Sequence, residues 1–133
     1  MNMTPEQKIK SAILMRAVEA GDTLIGEPIT VENVDDLYDE NNDDYQLQDY
    51  VSEMRQGEIE TTIPHEYSRH YEAKSVAAQA SDGSWVGWTY WYGGGKHGEP
   101  EEIDWMDSAY ELDCVEEEKM VIVRTFAKKQ EMK

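Results

Sequence analysis

The feature that most constrains this chain is a change of hydrophobic period near Tyr71. Two runs beyond it, Tyr71 to Ala80 and Trp85 to Tyr92, alternate as strands do and flank Asp82-Gly83, a short hairpin signal bracketed by Ser81 and Ser84. A two-residue turn there sets Ala77 opposite Trp88, Ser75 opposite Tyr90 and Ala73 opposite Tyr92, small side chains against large rings. On the other face it sets Lys74 opposite Trp91 as a cation–π pair. Trp88, Tyr90 and Tyr92 then share one face and Trp85 and Trp91 the other, so one aromatic face needs cover beyond a single core. Either the rings lie flat on the sheet, or they form a dimer seam or partner site, for which Trp and Tyr are favoured.

The period before Tyr71 is helical. Thr4 as N-cap, Pro5 at the first helical position and Gln7 as the return half of a capping box open a helix whose stripe is Ile9, Ile13 and Ala17, with Gly21 as a stop. Thr30 is a second N-cap candidate, followed by Val31, Val34, Leu37 and Tyr38. Tyr45, Leu47, Tyr50, Val51 and Met54 predict a third helix ending at Gly57. After the hairpin, Glu101 to Asp107 reads as a helical turn or irregular chain. Tyr110, Leu112 and Cys114 read as a third strand, Glu116 to Glu118 as an acidic turn, and Met120 to Ala127 as a β-branched fourth strand before the basic residues 128–133. The fold class is therefore α+β: about three N-terminal helices on a C-terminal four-stranded antiparallel sheet. It forms one domain over residues 1–133, with a mainly helical, acidic part at 1–57 and the sheet at 70–128.

Charge is the next constraint. The chain has 12 Lys+Arg against 29 Asp+Glu, a net −17. Between Ala17 and Met54 there are twelve acids and no Lys or Arg, and between His97 and Glu118 ten acids and no Lys or Arg, so these stretches hold 22 of the 29 carboxylates. Such a field repels nucleic acid and anionic membrane and steers basic proteins or cations to the surface. Asp35, Asp36, Asp39, Glu40, Asp43 and Asp44 form its densest cluster. The plain reading is a solvated helical face, helped where Asp35, Asp36 and Asp44 sit near helix starts. The functional reading is a surface for a basic partner. Eight Tyr, four Trp and seven Met against one Phe give a core of amphipathic rings, some of which belong at the surface. Cys114 is the only cysteine, so no internal disulfide forms, which fits a reducing compartment. It is expected to be buried packing in its strand. No apolar run reaches the length of a membrane span and the N-terminus lacks the order of a secretory signal, so cytoplasmic residence is expected.

Motifs for catalysis are weak. Gly93, Gly95 and Gly98 satisfy GxGxxG literally, but the preceding strand belongs to a hairpin and no βαβ unit follows. The loop Gly93, Gly94, Gly95, Lys96, His97 and Gly98 reads as a connection or as a backbone nest for an anion, with Trp88, Trp91 and Trp105 available to stack on a nucleotide. His65, His70 and His97 match no zinc spacing, so no metal and no cofactor is expected. Cys114 near His97 or His70 is a poor thiol pair, carboxylates are too plentiful to single out an acid and a base, and no catalytic residue is assigned. A binding protein is expected rather than an enzyme.

Ser68-Arg69-His70-Tyr71-Glu72, the run Trp85 to Pro100, Asp104-Trp105 and Val123-Arg124-Thr125-Phe126 together resemble uncharacterised small proteins encoded by bacteriophages and prophages. The similarity covers about the second half. It implies a viral accessory role in the cytoplasm of a bacterial host cell, with no activity or catalytic residue to carry over. Read with the charge, it leads to an inhibitor of a basic host protein, such as a defence or nucleic-acid-handling enzyme, bound through the acidic cluster in place of DNA. The alternatives are a small-ligand module for a nucleotide or anion at the glycine loop, and a virion structural or assembly component. A homodimer is compatible with each.

Overall fold

The first helix, α1 (Pro5–Glu19), begins as its sequence dictates: Thr4 Oγ1 accepts from the Gln7 backbone N–H, and the Gln7 side chain accepts from the Thr4 N–H. The structure, a computed structural model, describes residues 2–94 and 100–129. α1 buries Ile9, Ile13, Leu14 and Ala17. α2 (Val34–Asn41) starts three residues later than a cap at Thr30 implies, because Thr30 opens a turn in which the Asn33 side chain accepts from its N–H. A 3₁₀ turn (Asp43–Tyr45) follows, and α3 (Gln48–Arg55) begins at Gln48 rather than at Tyr45. The delay has a backbone cause: Asp44 and Tyr45 adopt φ of 56° and 58°, which no α-helix contains. Gly57, at φ 75°, ends the helical half as expected.

The sheet has four antiparallel strands in the order β1 (Ile59–Glu60), β2 (Glu72–Gln79), β3 (Trp85–Tyr92) and β4 (Tyr110–Leu112). The sheet departs from the sequence reading in three places. The hairpin turn has three residues, Ser81-Asp82-Gly83: Ala80 and Ser84 pair, the Gly83 N–H bonds the Ala80 carbonyl, and Gly83 takes φ 90°. One extra turn residue moves the register by one, so Val76 faces Trp88, Ala77 faces Gly87, Ala73 faces Trp91 and Lys74 faces Tyr90. Lys74 Nζ accordingly lies over the rings of Tyr90 and Tyr92, at 5.7 and 5.9 Å, and not over Trp91. Second, Met120 to Ala127 forms no strand. The fourth strand is the two-residue β1, too short to leave a period in the sequence, and the sheet spans 59–112 rather than 70–128. Third, β4 stops at Leu112, and Cys114 is exposed.

Helices and sheet form two layers. Val76, Ala78, Val86 and Trp88 point at the helices and join Ile9, Ile13, Leu14, Val34, Leu37, Leu47 and Met54 in one core. Trp105 closes it beside Trp88, ring centroids 5.2 Å apart. Arg55 locks the layers together. Its carbonyl accepts from Trp88 Nε1–H at 2.8 Å, its Nη1 donates to the Trp91 carbonyl at 2.7 Å, and its guanidinium stacks 4.7 Å from the Tyr90 ring. Lys8, 9% exposed, ties α1 to the far edge by donating to Glu111 at 2.8 Å and Ser84 at 2.9 Å. The Glu111 bond leads the influences that raise its pKa above the ordinary lysine value, against the opposing effect of burial. No helix among the described residues is long and apolar enough to cross a membrane.

Candidate functional site

The acidic cluster divides in two on α2. Val34 and Leu37 point into the core, so the residues between them must point away. Asp35 turns toward α1, where its carboxylate accepts from Gln7 Nε2 at 3.1 Å and Lys10 Nζ at 3.2 Å. The Gln7 bond, with the Lys10 bond and charge behind it, holds Asp35 below the usual carboxylate range despite some desolvation. Burial works against the charge of Lys10, but the Asp35 bond and the charges of Glu6, Asp35 and Asp39 outweigh it and raise its pKa. Asp35 is thus spent on the fold.

The other five acids are not. Asp36, Asp39 and Glu40 recur at i, i+3 and i+4 and share a side of α2, and Asp43 and Asp44 follow in the 3₁₀ turn beyond its end. All five are exposed, and none makes a side-chain hydrogen bond or ion pair with a described residue. The bases of α1 face elsewhere: Lys10 bonds Asp35 and Glu6, and Arg16 bonds Glu58 at 3.2 Å. At the end of the acidic cluster Tyr45 is 77% exposed, an aromatic ring bare among carboxylates. Its left-handed backbone is the signal that the helical period concealed. Along α2 the carboxylates of Asp36, Asp39 and Glu40 are separated by rises of about 4.5 and 1.5 Å, a dense but uneven row of negative charge.

The rings expected beside the glycine loop lie in different places. Trp88 is 0% and Trp105 6% exposed, both in the core, while Trp91 lies on the opposite sheet face beside Thr89, His65 and Asp104. The three rings do not converge. Gly95, Lys96, His97 and Gly98 lie outside the described residues. Gly93 and Gly94 do border a cleft of about 810 Å³, formed with His65, Arg69, Tyr71 and Tyr92. Arg69 is exposed there and makes no ion pair with a described residue, a cation that no spacing in the sequence connects to the loop. Among the described residues no group of three or more His, Cys, Asp or Glu is placed to hold a metal ion.

A different surface lies on the sheet face away from the helices. Ala77 lies at its floor, and Ile59, Trp85, Leu112 and Val115 rim a groove of about 500 Å³. From Asp113 to Lys129 every residue is exposed, including Met120, Val121, Ile122, Val123 and Phe126 at 77% or more. No family model, curated protein or solved structure matches this chain.

Proposed function

We propose that this protein acts by binding a basic protein surface of the kind that nucleic-acid enzymes present, using Asp36, Asp39, Glu40, Asp43 and Asp44 with Tyr45 as its aromatic anchor. The observation that carries this reading is the freedom of these acids: five exposed carboxylates on α2 and its following turn, none of them in a side-chain hydrogen bond or ion pair with a described residue. A face spent only on solubility needs no such density. Five exposed carboxylates within nine residues offer a partner's Lys and Arg residues a dense negative surface in place of phosphates. An exposed Tyr at the end of a charged cluster adds area at little cost in side-chain entropy. In a bacterial cell carrying viral genes, such a surface inhibits a host enzyme by occupying its DNA site.

The test is capture from bacterial lysate at about 50 mM salt on the immobilised protein, followed by elution with duplex DNA. Basic nucleic-acid-binding proteins should be retained and then displaced by DNA. The variant Asp36→Asn, Asp39→Asn, Glu40→Gln, Asp43→Asn, Asp44→Asn should retain none of them. Equal retention by this variant, or no displacement by DNA, contradicts the reading.

A second reading rests on the cleft beside Gly93 and Gly94, where Arg69 and Tyr92 offer a cation and a ring to a nucleotide or other anion. A thermal-shift screen across nucleotides decides it: stabilisation lost in Arg69→Ala supports this reading, and a flat response removes it.

A further inference from the structure

The segment Lys119 to Lys129 has the composition of a buried strand and none of its cover. Met120, Val121, Ile122, Val123 and Phe126 are 103%, 77%, 79%, 80% and 85% exposed. Successive residues are apolar, so both sides of an extended 120–123 are apolar, the pattern of a strand covered on both faces. Bare β-branched runs of this kind pair with another chain. The segment is also unlike the rest of the molecule in charge: Lys119, Arg124, Lys128 and Lys129 are its only ionisable residues, in a chain of net −17.

The groove on the outer sheet face is its complement. Ile59, Trp85, Leu112 and Val115 supply apolar walls, and Glu60, Asp113 and Glu116 lie along it. Bases on the segment meet acids on the groove, and apolar side chains meet apolar walls. Return of the segment to the groove of its own chain is opposed by the connection. Glu116, Glu117 and Glu118 would have to make the reversal, and three adjacent carboxylates repel one another and extend the chain, with no Gly, Pro or Asn to turn it.

We infer that the occupant of the groove is the 119–129 segment of a second copy of this chain, exchanged reciprocally in a two-fold dimer. Each copy gives one segment and receives one, so the contact closes on itself and does not propagate. The dimer is carried by surfaces other than the acidic cluster and stands or falls separately from the proposed partner. If both hold, two clusters are displayed on one particle, which strengthens binding to a partner with two sites.

Sedimentation velocity over a concentration series tests the exchange. The full chain should pass from monomer to dimer. Ile122→Asp/Phe126→Asp, which changes only side chains bare in the monomer, should weaken self-association by roughly 100-fold or more. Ile59→Asp/Val115→Asp, on the groove, should do the same. An equimolar mixture of the two variants should form a 1:1 heterodimer, since the segment of the groove variant fits the intact groove of the other. A folding defect cannot produce that rescue. A full chain that stays monomeric, variants that dimerise like the parent, or a mixture that remains monomeric overturns the inference.

Discussion

Trp85 to Tyr92 and Met120 to Ala127 read alike as strands, and the fold treats them in opposite ways. β3 is paired on both sides, by β2 along its whole length and by β4 over Trp85 to Gly87, and it buries Val86 and Trp88 against the helices. The 119–129 segment joins no strand among the described residues and exposes every residue, its one ion pair being Lys119 with the neighbouring Glu117 at 3.7 Å. Both carry the apolar content of a strand. What separates them is chain connection: a three-residue turn with Gly83 at φ 90° folds β3 onto β2, whereas the later segment follows Glu116-Glu117-Glu118, which has none of the residues that favour a turn. A β-pattern states a demand for a partner, and the connection decides whether that partner lies in the same chain.

The contrast is broken most severely by removing a ring from each segment. Trp88→Ala should cost about 3–5 kcal/mol, because it empties the centre of the core, removes the contact with Trp105 and leaves the Arg55 carbonyl without its donor. Phe126→Ala, measured where the protein is monomeric, should change stability by less than about 0.5 kcal/mol. Denaturant melts of the two variants make the comparison, and a large loss in Phe126→Ala would mean that the segment is covered within its own chain.

Arg55→Met tests the lock that seats β3. It keeps the buried stem but removes the bond to the Trp91 carbonyl and the stack on Tyr90, and should cost about 2–3 kcal/mol in the same melts. Gly83→Ala sharpens the argument from connection. A Cβ at Gly83 meets nothing within 4 Å, so its cost is that of the left-handed backbone alone, about 1–2 kcal/mol. A two-residue turn at Asp82-Gly83 would change register instead, visible as altered cross-strand proximities between β2 and β3.

The smallest effect is expected at the Lys10–Asp35 pair, far from either segment. Asp35 is held below its unfolded value, so its contribution is present above about pH 4 and lost as pH falls through the folded value. Lys10 is raised, so its contribution is present below about pH 10 and lost as pH rises through the folded value. Between those limits the pair, with Asp35 half-exposed, contributes less than about 1 kcal/mol, and Lys10→Met should remove the alkaline flank and only part of the acid one, because the Gln7 bond to Asp35 remains.

Elements with local chemistry were legible in the sequence. The capping box placed α1 at Thr4 and Pro5, and Gly57 placed the end of α3, because caps and left-handed glycines act within a few residues. The hairpin was legible too, but its register was not. Asp82-Gly83 suits a two-residue turn, and the side chain of Asp82 chose the longer one by accepting from the Ser84 N–H and hydroxyl. Those bonds also hold Asp82 below the usual carboxylate range. Features set by tertiary contact were illegible. Nothing local distinguishes Trp88 and Trp105, which fill the core, from Trp91, which does not. The cluster of six acids was legible as a run without Lys or Arg, whereas the diversion of Asp35 to Gln7 and Lys10 required the packing of α1 on α2. The cation at Arg69 and the lock at Arg55 belong to the same class, each meaningful only beside residues more than twenty positions away.

Amide hydrogen exchange of 120–126, followed as a function of protein concentration with β3 as the internal standard, tests most directly whether this segment is a strand awaiting a second copy. β3 should be protected throughout, while 120–126 exchanges freely in dilute protein and becomes protected as the dimer forms. Protection independent of concentration, or none at any concentration, would contradict the exchange of segments.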